Sequence, residues 1–146
     1  MTAGIHPIEA ESYRILEARV DLSGWAPGPR AVVARVVHAT ADVDFAATMV
    51  AGEDAVAAGV AALRAGAMVV TDVEMTRSAI TGTPAVCYLA EARAGDGLTR
   101  SAAAMRLAAA RHPEGAVFAV GCAPTALAEL DRLAQAGAVS PALVVG

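Results

Sequence analysis

Ala116-Val117-Phe118-Ala119-Val120-Gly121-Cys122-Ala123-Pro124-Thr125 decides the fold. Five apolar residues without a polar interruption have the length of a strand buried on both faces. The glycine after them permits a tight turn, and Pro124 suits the first turn of a helix. The pattern recurs on either side. Ala67 to Thr71, Ala85 to Leu89 and Ala142 to Val145 are further short apolar runs, and helical stretches from Thr99 to Arg111 and Thr125 to Ala136 separate the later ones. Strand alternating with helix predicts a parallel sheet covered on both faces, a doubly wound α/β domain. Ahead of it, helices are predicted over Ile8 to Ala18, Arg30 to Ala39 and Ala55 to Ala65. Glu53 and Asp54 complement the dipole of the last of these, and Gly66 stops it. The fourth apolar run ends at Gly146, where an α/β unit would ordinarily continue into another helix. The expectation is therefore one domain over residues 1–146, shortened at its C-terminal end.

Composition narrows the chemistry. In 146 residues there are 38 alanines, no lysine and no asparagine, which removes Schiff-base and phosphate-loop lysines and any asparagine oxyanion contact. A net charge of -4 opposes general nucleic-acid binding. All eleven basic residues are arginine, the side chain that grips carboxylates bidentately, and this favours an anionic small ligand. Cys87 and Cys122 are too few and too far apart for a disulfide scaffold or zinc knuckle. The first residues lack the basic and apolar pattern of a signal peptide, and the charge-free stretches are too short to span a bilayer, so a cytoplasmic protein is expected.

Ligands of open parallel sheets bind beyond the carboxyl ends of the strands. Thr71 and Asp72 follow the first strand there, and Gly121-Cys122-Ala123 lead into a helix start able to hold an anion. Thr99-Arg100-Ser101 opens the other helix with two hydroxyls and a guanidinium, either as simple caps or as carboxylate contacts. His38, closing an apolar helix, is either a dipole-favoured terminal residue or an acid facing a pocket. His38 with Asp42 or Asp44 lacks a third ligand, so no metal is expected. His112 reads as the close of its helix and His6 as part of a loose terminus. Cys122 reads as a turn-lining thiol more readily than a nucleophile. Asp72 and Glu74 could form an acid pair or simply belong to a loop.

Val36-Val37-His38-Ala39-Thr40, Ala61 to Ala67 leading into Thr71-Asp72-Val73-Glu74-Met75, Thr99 to Met105, and Ala119 to Leu127 come in the order seen in the precorrin-8X methylmutase family. Glu11-Ser12-Tyr13-Arg14-Ile15-Leu16 also resembles that family's opening, so the similarity runs along essentially the whole chain. The resemblance implies a flavodoxin-like three-layer α/β/α fold and a homodimer with active sites near the subunit interface. It implies an isomerase of cobalamin biosynthesis that moves a methyl group from ring carbon eleven to carbon twelve of precorrin-8X, giving hydrogenobyrinate, without an external cofactor. The family histidine matching His38 is held to protonate the macrocycle. Ser12, Arg14, Thr71, Asp72, Thr99, Arg100, Ser101, Gly121, Cys122 and Ala123 are the implied substrate contacts. Two departures stand out: Cys122 and Leu98 occupy positions where the family usually carries asparagine. Family members also continue past Val145 into a glycine-rich loop, a helix and a strand. A non-catalytic relative that binds a tetrapyrrole or a partner protein is the alternative reading.

Overall fold

Residues 6–146 are described by the computed structural model. Pro7, whose missing N–H costs nothing in a first turn, opens helix α1 (Pro7–Arg19), with Glu9 near its positive end and Arg19 near its negative end. His6 is not loose. It is the N-cap of α1, its side chain accepting from the Ile8 N–H at 3.3 Å. Pro27 starts α2 (Pro27–Thr40) three residues earlier than the periodicity indicates, because the Pro-Gly-Pro stretch supplies a first turn rather than a break. Two of its valines pack inward despite their β-branching, while Val32 stays exposed. Val33 and Val37 join Leu16 and Leu22 in a buried cluster that Tyr13, Val20, Trp25, Ala34, Ala46 and Met49 complete. A short helix α3 (Phe45–Thr48) follows, then α4 (Glu53–Arg64). Gly66, at φ +84°, ends α4: its N–H bonds the Leu63 carbonyl, and the Ala67 N–H bonds that of Ala62.

The chain divides into two units, Met1–Ala57 and Ala58–Gly146. The second holds the sheet. Strands β1 (Val69–Thr71), β2 (Ala85–Cys87), β3 (Val117–Ala119) and β4 (Leu143–Val145) are all parallel and lie in the order β2-β1-β3-β4. Val69 pairs with Ala85 on one side and Val117 on the other, and Val117 with Leu143. This is the order of the first four strands of a flavodoxin-like sheet. The apolar runs are longer than the strands because the ladder holds only three residues of each: the last three of the first and fourth runs, the first three of the second and the middle three of the third. Helix α5 (Glu74–Ala79) connects β1 to β2, α6 (Arg100–Arg111) precedes β3, and α7 (Pro124–Gln135) precedes β4. Glu74 therefore opens a helix and is not half of an acid pair.

Helices α6 and α7 pack on each other and on the sheet through a core of Val70, Met105, Phe118, Leu130 and Leu133 with Ala108, Ala109, Ala116 and Ala126. Small side chains line much of that seam. Glu129 of α7 is buried within it at 6% exposure and takes Arg106 of α6 at 2.8 Å and Arg132 at 2.8 Å. The Arg132 guanidinium, opposed by burial and reinforced by Arg106, holds the Glu129 carboxyl down at about 2. The folded chain therefore keeps this carboxylate charged at pH values where the unfolded chain protonates it. Its stabilisation is complete above the ordinary glutamate range and is lost as pH falls toward 2. Both arginines are about half exposed, and screening reduces the gain to roughly 1–2 kcal/mol. Melting curves between pH 6 and pH 2 should show Glu129→Gln losing less of its thermal midpoint on acidification than the parent; parallel curves would remove this ion pair from the account.

Candidate functional site

The sequence-predicted residues fall into two groups, one in each unit. In the first, the periodicity of α1 and α2 brings Ser12 and His38 together from 26 residues apart: Ser12 Oγ lies 3.1 Å from His38 Nδ1. Tyr13, the next residue of α1, stacks on the imidazole with centroids 4.6 Å apart and the planes 9° from parallel. Nε2 has no protein partner among the described residues. The half-buried imidazole lines a cavity of about 150 Å³ with Ser12, Ile15, Arg19, Val37, Ala41 and Val43. A larger cavity of about 580 Å³ shares Leu16 and Arg19 with it and is lined as well by Tyr13, Asp21 and Arg30. Arg19 was not singled out by the sequence. Nothing in its spacing marks it, yet it lines both cavities, and no ion pair among the described residues uses it. Arg14 is exposed and closes on Glu11 through bonds of 2.8 and 2.6 Å.

In the second unit, the crevice between the carboxyl ends of β1 and β3 is the point where strand order reverses, the ligand position of such sheets. An anion does sit there, and it is the chain's own. Asp72 is fully buried, and its carboxylate accepts from the N–H groups of Gly121 at 3.1 Å, Cys122 at 2.9 Å and Ala123 at 2.7 Å, and from the Thr76 hydroxyl at 3.1 Å. Burial pushes the Asp72 carboxyl up, but the N–H groups of Ala123, Gly121 and Cys122 and the Thr76 hydroxyl outweigh it. The group is held below the usual carboxylate range. Gly121 is required by space, since a Cβ there would lie 2.6 Å from Thr76 Oγ1. The N–H groups at the expected anion-binding helix start are thus already taken by Asp72, whose carboxylate holds the loop. Thr71 is also buried, its hydroxyl shared between the carbonyls of Val73 and Val86.

Thr99 is the N-cap of α6, accepting from the Ala102 N–H at 3.2 Å, and its hydroxyl meets that of Thr125 at 2.8 Å. Arg100 is exposed at this positive helix end without a carboxylate partner among the described residues, and Ser101 is half-buried beside it. A cavity of about 290 Å³ runs from Gly97, Leu98 and Thr99 to Thr125 and Arg132. Cys122 is exposed, whereas Cys87 is half-buried and burial pushes its thiol up. His112 does close α6, and its Nε2 lies 2.7 Å from the Tyr88 hydroxyl. No group of three or more His, Cys, Asp or Glu among the described residues could hold a metal ion. No helix among them is long and apolar enough to cross a membrane.

The parallel sheet in the order β2-β1-β3-β4 agrees with what comparison finds. The family model described as precorrin-8X methylmutase matches residues 7–146. The precorrin-8X methylmutase of Sinorhizobium sp is 36% identical over 150 residues, covering 95% of this chain and 71% of the relative. The cobalt-precorrin-8 methylmutase of Priestia megaterium is 30% identical over 158 residues, covering 100% of this chain and 70% of its own length. The crystal structure of precorrin-8x methyl mutase from Thermus thermophilus superposes with a TM-score of 0.82 at 33% identity, over 94% of this chain and 71% of that one. With the family model spanning nearly every residue and the solved fold overlying the same length, this chain belongs to the precorrin-8X methylmutase family.

Proposed function

We propose that this chain is an isomerase of cobalamin biosynthesis that moves a methyl group from ring carbon eleven to ring carbon twelve of precorrin-8X, giving hydrogenobyrinate, with His38 as its general acid. The observation that carries the reading is the state of His38: Nδ1 beside Ser12, one face on Tyr13, and Nε2 free next to a cavity. An imidazolium so held donates one proton from Nε2. Substrate and product are isomers, so a proton given to the macrocycle is returned, and the imidazole left behind by donation is the base that takes it back. The stoichiometry calls for no electron acceptor and no methyl donor.

The cavity beside His38 is smaller than the roughly 300–1,000 Å³ of ordinary small-molecule sites. A macrocycle therefore lies across this surface, with only one edge reaching the imidazole. Its peripheral carboxylates suit Arg19, which lines that cavity without an ion-pair partner among the described residues; in the second unit, taken by itself, Arg100 and Ser101 offer the same chemistry. Arg14 adds to these only by leaving Glu11, and Gly121, Cys122 and Ala123 contribute side-chain or carbonyl surface, their N–H groups being engaged by Asp72. The same reading makes the protein a cytoplasmic homodimer.

Mixing the purified chain with precorrin-8X and following the visible spectrum tests this. Conversion to the hydrogenobyrinate spectrum is the expected result. A folded chain that shifts the substrate spectrum by binding, without converting it, would make the protein a tetrapyrrole-binding relative.

A further inference from the structure

We infer that Tyr13 is a positioning residue for the acid, holding the His38 ring plane so that Nε2 meets the macrocycle; this rests on the function proposed above. Neighbouring residues of an α-helix project about 100° apart. Ser12 and Tyr13 therefore approach His38 from two directions, one at the ring edge and one at the ring face. The Ser12 contact decides which nitrogen is free, because an Nδ1–H donating to Ser12 Oγ leaves Nε2 as the reactive position. It leaves rotation about that contact open. The parallel Tyr13 ring, 4.6 Å away, closes it.

Tyr13 is itself anchored. Arg35 Nη1 donates to the Tyr13 hydroxyl at 3.5 Å and to Glu9 at 2.9 Å. Glu9 and Tyr13 are one turn apart on α1, and Arg35 and His38 nearly one turn apart on α2, so the acid and the arm that steadies its aromatic partner span the same two helices. The hydroxyl contact is long and exposed, which makes the ring the working part and Arg35 an accessory.

The experiment compares Tyr13→Met, which keeps side-chain bulk for the α1–α2 core, with Tyr13→Phe, which keeps the ring. Both are measured in the full chain, for turnover of precorrin-8X and for the proton shifts of the His38 ring without substrate. Tyr13→Met is expected to lower kcat about tenfold with KM changed by less than about twofold, and Tyr13→Phe to behave like the parent. The His38 ring protons should be displaced upfield in the parent and in Tyr13→Phe, and return downfield in Tyr13→Met. Conversion by Tyr13→Met at the parental rate would overturn this proposal alone, as would an equal loss in Tyr13→Phe or a loss confined to KM. Should Tyr13→Met fail to fold, the parent decides: His38 protons without an upfield displacement overturn the stack. A parent that converts nothing overturns the function, and this proposal with it.

Discussion

His38→Ala should lower kcat for precorrin-8X conversion by about 10²–10⁴-fold, the range over which a positioned general acid acts. The reason lies in what the structure leaves available. Among the described residues the other histidines are engaged elsewhere, His6 as a helix cap and His112 on the Tyr88 hydroxyl. No neighbour of His38 in its cavity can replace it, because Ser12 and Arg19 are poor proton donors near neutral pH. The loss should appear in kcat and leave KM close to parental, since the imidazole contributes little area to a large ligand. Single-turnover absorbance traces separate binding from conversion. A His38→Ala chain that converts substrate at the parental rate would assign the acid to another group and leave His38 as a helix-terminal residue favoured by the dipole of α2.

The second large effect is on stability. Asp72→Asn preserves size but exchanges a carboxylate that accepts four hydrogen bonds for an amide with one oxygen, and its NH2 then faces backbone donors. Charge-assisted bonds to a buried group are among the stronger ones, and stranding two donors adds their desolvation cost, so a loss of about 3 kcal/mol is expected. For a chain of this length that corresponds to a fall of about 10 °C in Tm. The pH dependence has a definite sign. A carboxyl held below its ordinary range stabilises the fold above the unfolded aspartate range and ceases to do so as pH falls through its folded value. Asp72→Asn should therefore bring the parental acid destabilisation forward to neutral pH and flatten the curve below about pH 4. Equal midpoints at pH 7 for the two chains, by circular dichroism, would show that the 121–123 loop is held by something other than Asp72.

The elements that could be read from the sequence are those whose signal is local. Val117 to Ala119 lies inside an unbroken apolar run, and Ala55 to Ala65 carries acids at one end and a glycine at the other, so strand and helix declare themselves within a dozen residues. Phe45–Thr48 and Glu74–Ala79 escaped because four or six residues are too short to display a helical period. The site divides in the same way. His38 was visible as an imidazole at the end of an apolar helix, but its partner lies 26 residues away on another helix, and no spacing rule connects the two. Ser12 entered only through a family resemblance, as a substrate contact and not as the neighbour of Nδ1. Asp72 was visible as a polar residue at a strand end, where ligands bind; that it would supply the anion itself depends on backbone 49 to 51 residues further on. Position in a parallel sheet showed where chemistry gathers. Whether a polar group there meets a ligand or its own chain is decided by tertiary contacts that composition does not encode.

The alanine seam between α6 and α7 has a bearing on how this protein can change. Ala108 and Ala109 of α6 and Ala126 of α7 are all at or below 3% exposure. In an ordinary core the dangerous replacements are deletions, which carve out a cavity. At these alanines there is almost nothing left to delete. Any replacement but glycine adds atoms where two helices already touch, so the risk runs toward growth: even Ala→Val inserts two methyl groups into a closed seam and strains it by about 1–3 kcal/mol. Sequences diverging from this one can therefore exchange the larger residues of the core against one another, while this seam has to remain small.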